Sequence, residues 1–101
     1  MRKINKIMCC CGQGLGSSLI VHLNVEDVLK KNGIRGVEVC HASISEIDPR
    51  RADVFIVGLD IAKQLESYPR VIVVKELISF DEIEEKLLKA FNIEKDEFWI
   101  E

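Results

Sequence analysis

Four short segments, Ile4 to Cys10, Val37 to Ala42, Val54 to Val57 and Val71 to Val74, are apolar and rich in β-branched residues. Neighbours on a strand point to opposite faces, so runs apolar at every position, such as Val54 to Val57 and Val71 to Val74, need cover on both sides. Helical patterns lie between them. Leu19, Leu23, Val25, Val28 and Leu29 recur at helical spacing, with Ser17 or Ser18 able to cap the start and Gly33 able to close the end. Ile61 to Ser67 reads as a shorter helix stopped before Pro69. Ser79 and Glu82 have capping-box spacing ahead of Ile83, Leu87, Ala90 and Phe91. Residues 43 to 52, with Asp48-Pro49, read as a connection. Both-sided strands alternating with helices predict an α/β fold: a four-stranded parallel sheet with helices on both faces, built from right-handed βαβ units.

A chain of 101 residues with no repeat and no Gly/Ser/Pro linker is read as a single domain, 1–101. Its core runs from about 3 to 92, and 93–101 form a C-terminal extension whose Trp99 is expected to fold back onto the body. No run reaches the ~18 apolar residues that span a bilayer, so direct membrane insertion is not expected. Met1, Arg2 and Lys3 resemble the basic start of a signal peptide, but Asn5, Lys6 and Gly12 break up the apolar stretch that such a peptide needs next. The charge is 14 Lys plus Arg against 17 Asp plus Glu, net −3, which excludes a basic tail for nucleic acid. Residues 81 to 101 hold eight acids against three lysines, leaving the first 80 residues at +2, a body that tolerates an anionic ligand.

The cysteines point to a reducing compartment. Cys9, Cys10 and Cys11 are consecutive, so only Cys9 and Cys11 share a strand face, and their separation does not suit a disulfide. The expected location is cytoplasmic.

The segment Cys11-Gly12-Gln13-Gly14-Leu15-Gly16-Ser17-Ser18 joins the first strand to the first helix. In an open parallel sheet that is the carboxyl edge, where ligands bind. Three glycines within five residues let backbone N–H groups turn inward, and a helix start adds donors and a positive dipole end. The loop is an anion cradle, with phosphate as the expected guest. A nucleoside-triphosphate loop would need Gly-Lys-Ser/Thr, and no Lys lies between Lys6 and Lys30; a dinucleotide fingerprint would need glycine where Ser17 stands. No cofactor is expected. A thiol at the head of such a cradle should ionise below the free value of ~8.5 and attack as thiolate, which makes Cys11 the candidate nucleophile. Cys9, Cys10 and Cys40 read as small buried hydrophobes. Cys9, Cys11, Cys40 and His41 lack the paired spacing of a zinc site, so no metal is expected. His22, one turn past the loop, reads as a polar-face residue.

Taken together, Cys11-Gly12-Gln13-Gly14-Leu15-Gly16-Ser17-Ser18-Leu19-Ile20, Val25-Glu26-Asp27-Val28-Leu29, Ala52-Asp53-Val54-Phe55-Ile56-Val57 and Leu77-Ile78-Ser79 with Lys86-Leu87-Leu88 make the chain resemble a known family over residues 3 to 91. That family is the IIB components of the sugar phosphotransferase system, in particular the ascorbate type within the ascorbate, galactitol and lactose group. The resemblance implies a phosphocarrier enzyme: a phosphohistidine on a IIA partner gives its phosphoryl group to Cys11, which passes it to a sugar bound in the membrane component IIC. It also implies that Gly12, Gln13, Gly14, Leu15, Gly16, Ser17 and Ser18 hold the phosphate. Two rival readings remain. A low-molecular-weight cysteine phosphatase or arsenate reductase also heads a phosphate loop with Cys, but carries Arg six residues on, where this chain has Ser17. A IIB-like domain could instead serve a regulator.

Overall fold

The computed structural model describes residues 3–12 and 17–101. Its framework is β1 (Lys6–Cys11), buried from Ile7 to its end. β1 lies between β2 (Glu38–Ser43) and β3 (Val54–Gly58), parallel to both. The sheet continues through β4 (Arg70–Val74) to β5 (Phe98–Ile100), in the order β2-β1-β3-β4-β5. Asp53 pins the start of β1. Its carboxylate accepts the N–H groups of Asn5 and Lys6 at 2.8 and 2.9 Å, and its own N–H donates to the Lys6 carbonyl.

Strand alternation divides the core in two. Ile7, Cys9, Val54, Ile56, Ile72 and Val74 face α1 (Ser17–Lys31) and α2 (Phe80–Asn92) through Val21, Val25, Val28, Ile83 and Leu87. Met8, Cys10, Phe55, Val57, Val71 and Val73 face the other way, onto Ile61, Ala62, Leu65 and Tyr68. The Tyr68 ring stands edge-on to Phe55, centroids 4.9 Å apart.

The α/β class and the parallel sheet agree with expectation; the layering does not. The sheet has five strands rather than four, and both α-helices lie on one face. The opposite face is covered by 3₁₀ turns at Ile44–Glu46 and Ala62–Leu65. The Ile61 to Ser67 pattern forms only such a turn because the chain must reach β4 at Arg70, with Pro69 barring further helix. The fifth strand comes from the extension. Arg70 is buried, and its guanidinium donates to the backbone carbonyls of Asp53 and Asp96, while Phe98 N–H reaches the Pro69 carbonyl at 2.8 Å. These contacts seat Ile100 in the core and leave Trp99 39% exposed.

Helix α1 buries Val25, Val28 and Leu29 of the expected stripe but not its first two leucines. Ser18, Val21, Val25, Val28 and Leu29 face inward, whereas Leu19 and Leu23 are 45% and 51% exposed. Its end agrees with expectation: Gly33, at φ +67, lets its own N–H reach the Lys30 carbonyl and Ile34 N–H reach that of Leu29.

At α2, Ser79 accepts the Glu82 N–H as N-cap. The reciprocal half of the expected box is absent. Glu82 instead turns its carboxylate to the N–H groups of Lys75 and Glu76, at 2.7 and 2.8 Å, and to the buried Lys86 ammonium at 2.7 Å. Lys86 also donates to the Val73 carbonyl. Burial alone would raise the Glu82 pKa, but hydrogen bonds from Lys86, Lys75 and Glu76 outweigh it and hold the carboxyl below its ordinary value. A depressed carboxyl stabilises the fold above its unfolded pKa and loses that contribution as pH falls through the folded one. Glu82→Gln should therefore cost about 1–3 kcal/mol at pH 7, and the difference from wild type should shrink below about pH 4. Thermal melts from pH 3 to 7 check this; a difference constant across that range would contradict it.

Candidate functional site

Order β2-β1-β3 reverses the direction of chain progression at β1, so the crevice outside its carboxyl end is the switch point where open sheets bind ligands. Cys11 stands there, paired with Ser43 of β2 and 7% exposed. Gly12 comes next and is exposed; among the described residues a Cβ there would meet Ile61, at 3.8 Å. Gln13, Gly14, Leu15 and Gly16 lie outside the described residues. Ser17 opens α1, whose first turn contains no acid, so no carboxylate of that turn opposes the positive end of the helix at the site. Ser18 is 1% exposed, and among the described residues its Oγ is the one buried side-chain oxygen or nitrogen without a hydrogen-bond partner. An orphan of this kind costs about 1–3 kcal/mol.

The other edge loops close around this end of the sheet. The loops after β3 and β4 pack closely around Gly58, where a Cβ would lie 2.8 Å from Asp60 Oδ1 and 3.4 Å from the Leu77 side chain. Leu19, Ile20 and Leu23 of α1, Leu59 after β3 and Ile78 after β4 are 43–70% exposed. These three segments share the carboxyl edge, giving it an apolar rim.

The four cysteines form no disulfide, and their environments differ. Burial, with neighbouring thiols adding to it, pushes the Cys10 thiol up to about 12 and Cys9 higher still. Burial also raises Cys40. All three are thiols, not thiolates, near neutral pH. β2 sends His41 to the α1 face and Cys40 to the opposite one, so the two do not converge. Among the described residues no group of three metal donors comes together. Among the described residues no helix is long and apolar enough to cross a membrane.

The chain's only two histidines meet, which spacing alone did not reveal. His22 is not a free polar-face residue: its Nδ1 lies 2.8 Å from Nδ1 of His41, across from α1 to β2. Its side chain is 17% exposed and its Nε2 lies 3.4 Å from Glu26 Oε2. The β1–β2 register supplies the signal that sequence spacing lacked, because His41 pairs with Cys9 on the face that α1 covers.

The sequence model of one family, described as "PTS system, Lactose/Cellobiose specific IIB subunit", matches residues 6–89. The chain belongs to that family. It is a IIB component of the phosphotransferase system, hence a phosphotransferase of a pathway in which IIB works with IIA and IIC partners. The fold agrees with a solved structure, the lactose-specific IIB component domain of the phosphoenolpyruvate:carbohydrate phosphotransferase system from Streptococcus pneumoniae. That match has a TM-score of 0.58 and 13% identity, covering 88% of this chain and 92% of the other. No curated protein sequence matches this chain. The ascorbate subtype expected from the glycine loop is not supported; the family match carries the lactose/cellobiose description.

The contrast among the thiols predicts alkylation order. With iodoacetamide at pH 8 on folded protein, Cys11 should react at least about ten times faster than Cys9 and Cys10, whose thiolate fractions burial suppresses. Peptide mapping by mass checks this. Four similar rates, or Cys10 leading, would contradict it.

Proposed function

We propose that Cys11 is the residue on which this IIB component carries its phosphoryl group. The observation that carries the reading is the position of Cys11 at the sheet's switch point, heading the glycine loop, beside three thiols that burial holds neutral. The thiolate attacks phosphorus of a phosphohistidine on IIA: the S–P bond forms, the N–P bond breaks, and the imidazole nitrogen keeps the electron pair. In the second step a sugar hydroxyl oxygen takes the phosphoryl group, the S–P bond breaks, the thiolate is restored and the hydroxyl proton leaves. Backbone N–H groups from Gly12 through Gln13, Gly14, Leu15 and Gly16 to Ser17 hold the transferred oxygens, with the hydroxyls of Ser17 and Ser18. The unpartnered Ser18 Oγ supports this, since a phosphoryl oxygen would supply its missing partner.

The apolar rim formed by Leu19, Ile20, Leu23, Leu59 and Ile78 is the surface on which IIA docks, and IIC uses the same edge in turn. Exposed apolar groups around a reactive residue fit a partner that must approach closely and leave again. The protein works in the cytoplasm, and the acceptor is a carbohydrate bound by IIC; the family description points to a disaccharide such as lactose or cellobiose.

The site is built to hold the intermediate rather than hydrolyse it. Ser17 stands where a cysteine phosphatase has Arg, and the segment from Cys11 to Ile20 contains no acid or base to activate water.

Single Cys→Ser variants incubated with a phosphorylated IIA component of lactose/cellobiose type test the assignment by intact mass. The phosphoryl adduct should vanish in Cys11→Ser and persist in the other three; loss in Cys10→Ser with retention in Cys11→Ser would overturn it. Without acceptor the adduct should outlast seconds, and aryl phosphate should not be turned over. At the rim, Leu23→Ser and Ile78→Ser should raise the KM for phosphorylated IIA several-fold with kcat and melting temperature nearly unchanged. An unchanged KM in both would remove the docking role.

A further inference from the structure

Resting on the Cys11 reading, we propose that His22 and His41 form a pair holding one added proton and not two, which supplies the positive counter-charge when Cys11 is phosphorylated. Two facing Nδ1 atoms at 2.8 Å require one to donate and the other to accept. The neutral pair satisfies this. A pair with one added proton satisfies it too, because an imidazolium donates to a neutral ring. A second added proton places N–H against N–H and breaks the contact.

The surroundings favour His22 as the seat of the charge. Its Nε2 faces the Glu26 carboxylate at 3.4 Å, so an imidazolium there lies between an anion and an accepting ring. From β1, Cys9 lies beneath the pair as a neutral thiol and adds no charge. Lys6 and Glu38 pair with each other at the opposite end of the two strands. Helix α2 meets α1 at its far end, where Lys31 and Asn32 bond Glu84.

Phosphorylation brings about −1.5 to −2 charge to Cys11. No Lys or Arg occurs from Ile7 to Leu29, the whole of β1 after its first residue, the loop and nearly all of α1. Within that stretch His22 is the one basic side chain, and His41 joins it from β2. The pair is also close. Cys11 is abreast of Ser43, two residues along β2 from His41, which puts the Cα atoms of Cys11 and His41 about 8 Å apart. His22 lies one helical turn beyond Ser18. At such a range a single positive charge favours the phosphorylated state roughly 3- to 10-fold. The same factor must favour protonation of the pair once the phosphoryl group is in place. The proton comes from solvent, and neither imidazole forms a bond to phosphorus. Both histidines are positioning residues, acting through charge and through the clamp between α1 and β2.

Imidazole nitrogen resonances monitored from pH 5.5 to 8.5, on unmodified protein and on protein phosphorylated by IIA, test this. The adduct at Cys11 is verified by mass in the same samples. Titration of the pair should move to higher pH in the adduct, and the share of phosphorylated protein at equilibrium with IIA should rise as pH falls from 8 to 6. In His22→Asn and His41→Asn that pH-dependent gain should fall by the same roughly 3- to 10-fold factor. An adduct with unchanged imidazole titration, or variants that keep the wild-type pH profile, would overturn the pair's role while leaving Cys11 in place. Failure of the adduct to form on Cys11 would overturn both.

Discussion

The structure depends on the burial of β1 on both faces. Ile7 and Cys9 are sealed under the two helices and Met8 and Cys10 under the 3₁₀ side, so a one-residue shift in register would move every one of these residues to the wrong layer. Parallel neighbours on both sides and the Asp53 carboxylate at its start fix β1 lengthwise as well. A rigid strand delivers Cys11 to one place, the carboxyl edge, and the chain has only to turn there into α1. The same burial explains why a triple cysteine is tolerated. Two of the thiols are core residues that burial keeps protonated, and the third emerges where the core ends.

What that edge offers an anion is electrostatic. An α1 start free of acid, a loop rich in glycine and an orphaned serine hydroxyl all favour an anion, and none requires a side-chain cation. A permanent Arg would hold the phosphoryl group tightly and stabilise its hydrolysis. A carrier needs the opposite, an intermediate stable enough to travel and labile enough to pass on. The histidine pair proposed above meets that requirement better than a fixed cation, since the phosphoryl group itself favours its protonation.

Much of this was legible in the sequence. The Val54 and Val71 runs, the Gly33 stop and the Ser79 cap all act through local physics, and each is found where that physics puts it. Cys11 lies where the end of the first apolar run puts it, at the carboxyl edge of β1. What escaped depends on contacts distant in sequence. Leu19 and Leu23 look like core by spacing, yet the sheet takes Val21 and Val25 instead and leaves them at the rim. β5 forms because a buried Arg70 holds the carbonyl of Asp96, which no pattern in Phe98-Trp99-Ile100 announces. His22 and His41 meet only through the β1–β2 register. The second face is closed by turns rather than helices because the connections there are short.

Whether the phosphoryl group rests on sulfur at the end of β1 decides everything else proposed for this edge. Phosphorus NMR of the protein phosphorylated by IIA reads the bonding atom directly, since S-linked, N-linked and O-linked phosphoryl groups resonate apart. A single S-phosphoryl signal, coupled to the β-protons of Cys11, is the result predicted. A phosphoramidate signal from His22 or His41, or an S-phosphoryl signal coupled to another cysteine, would contradict it.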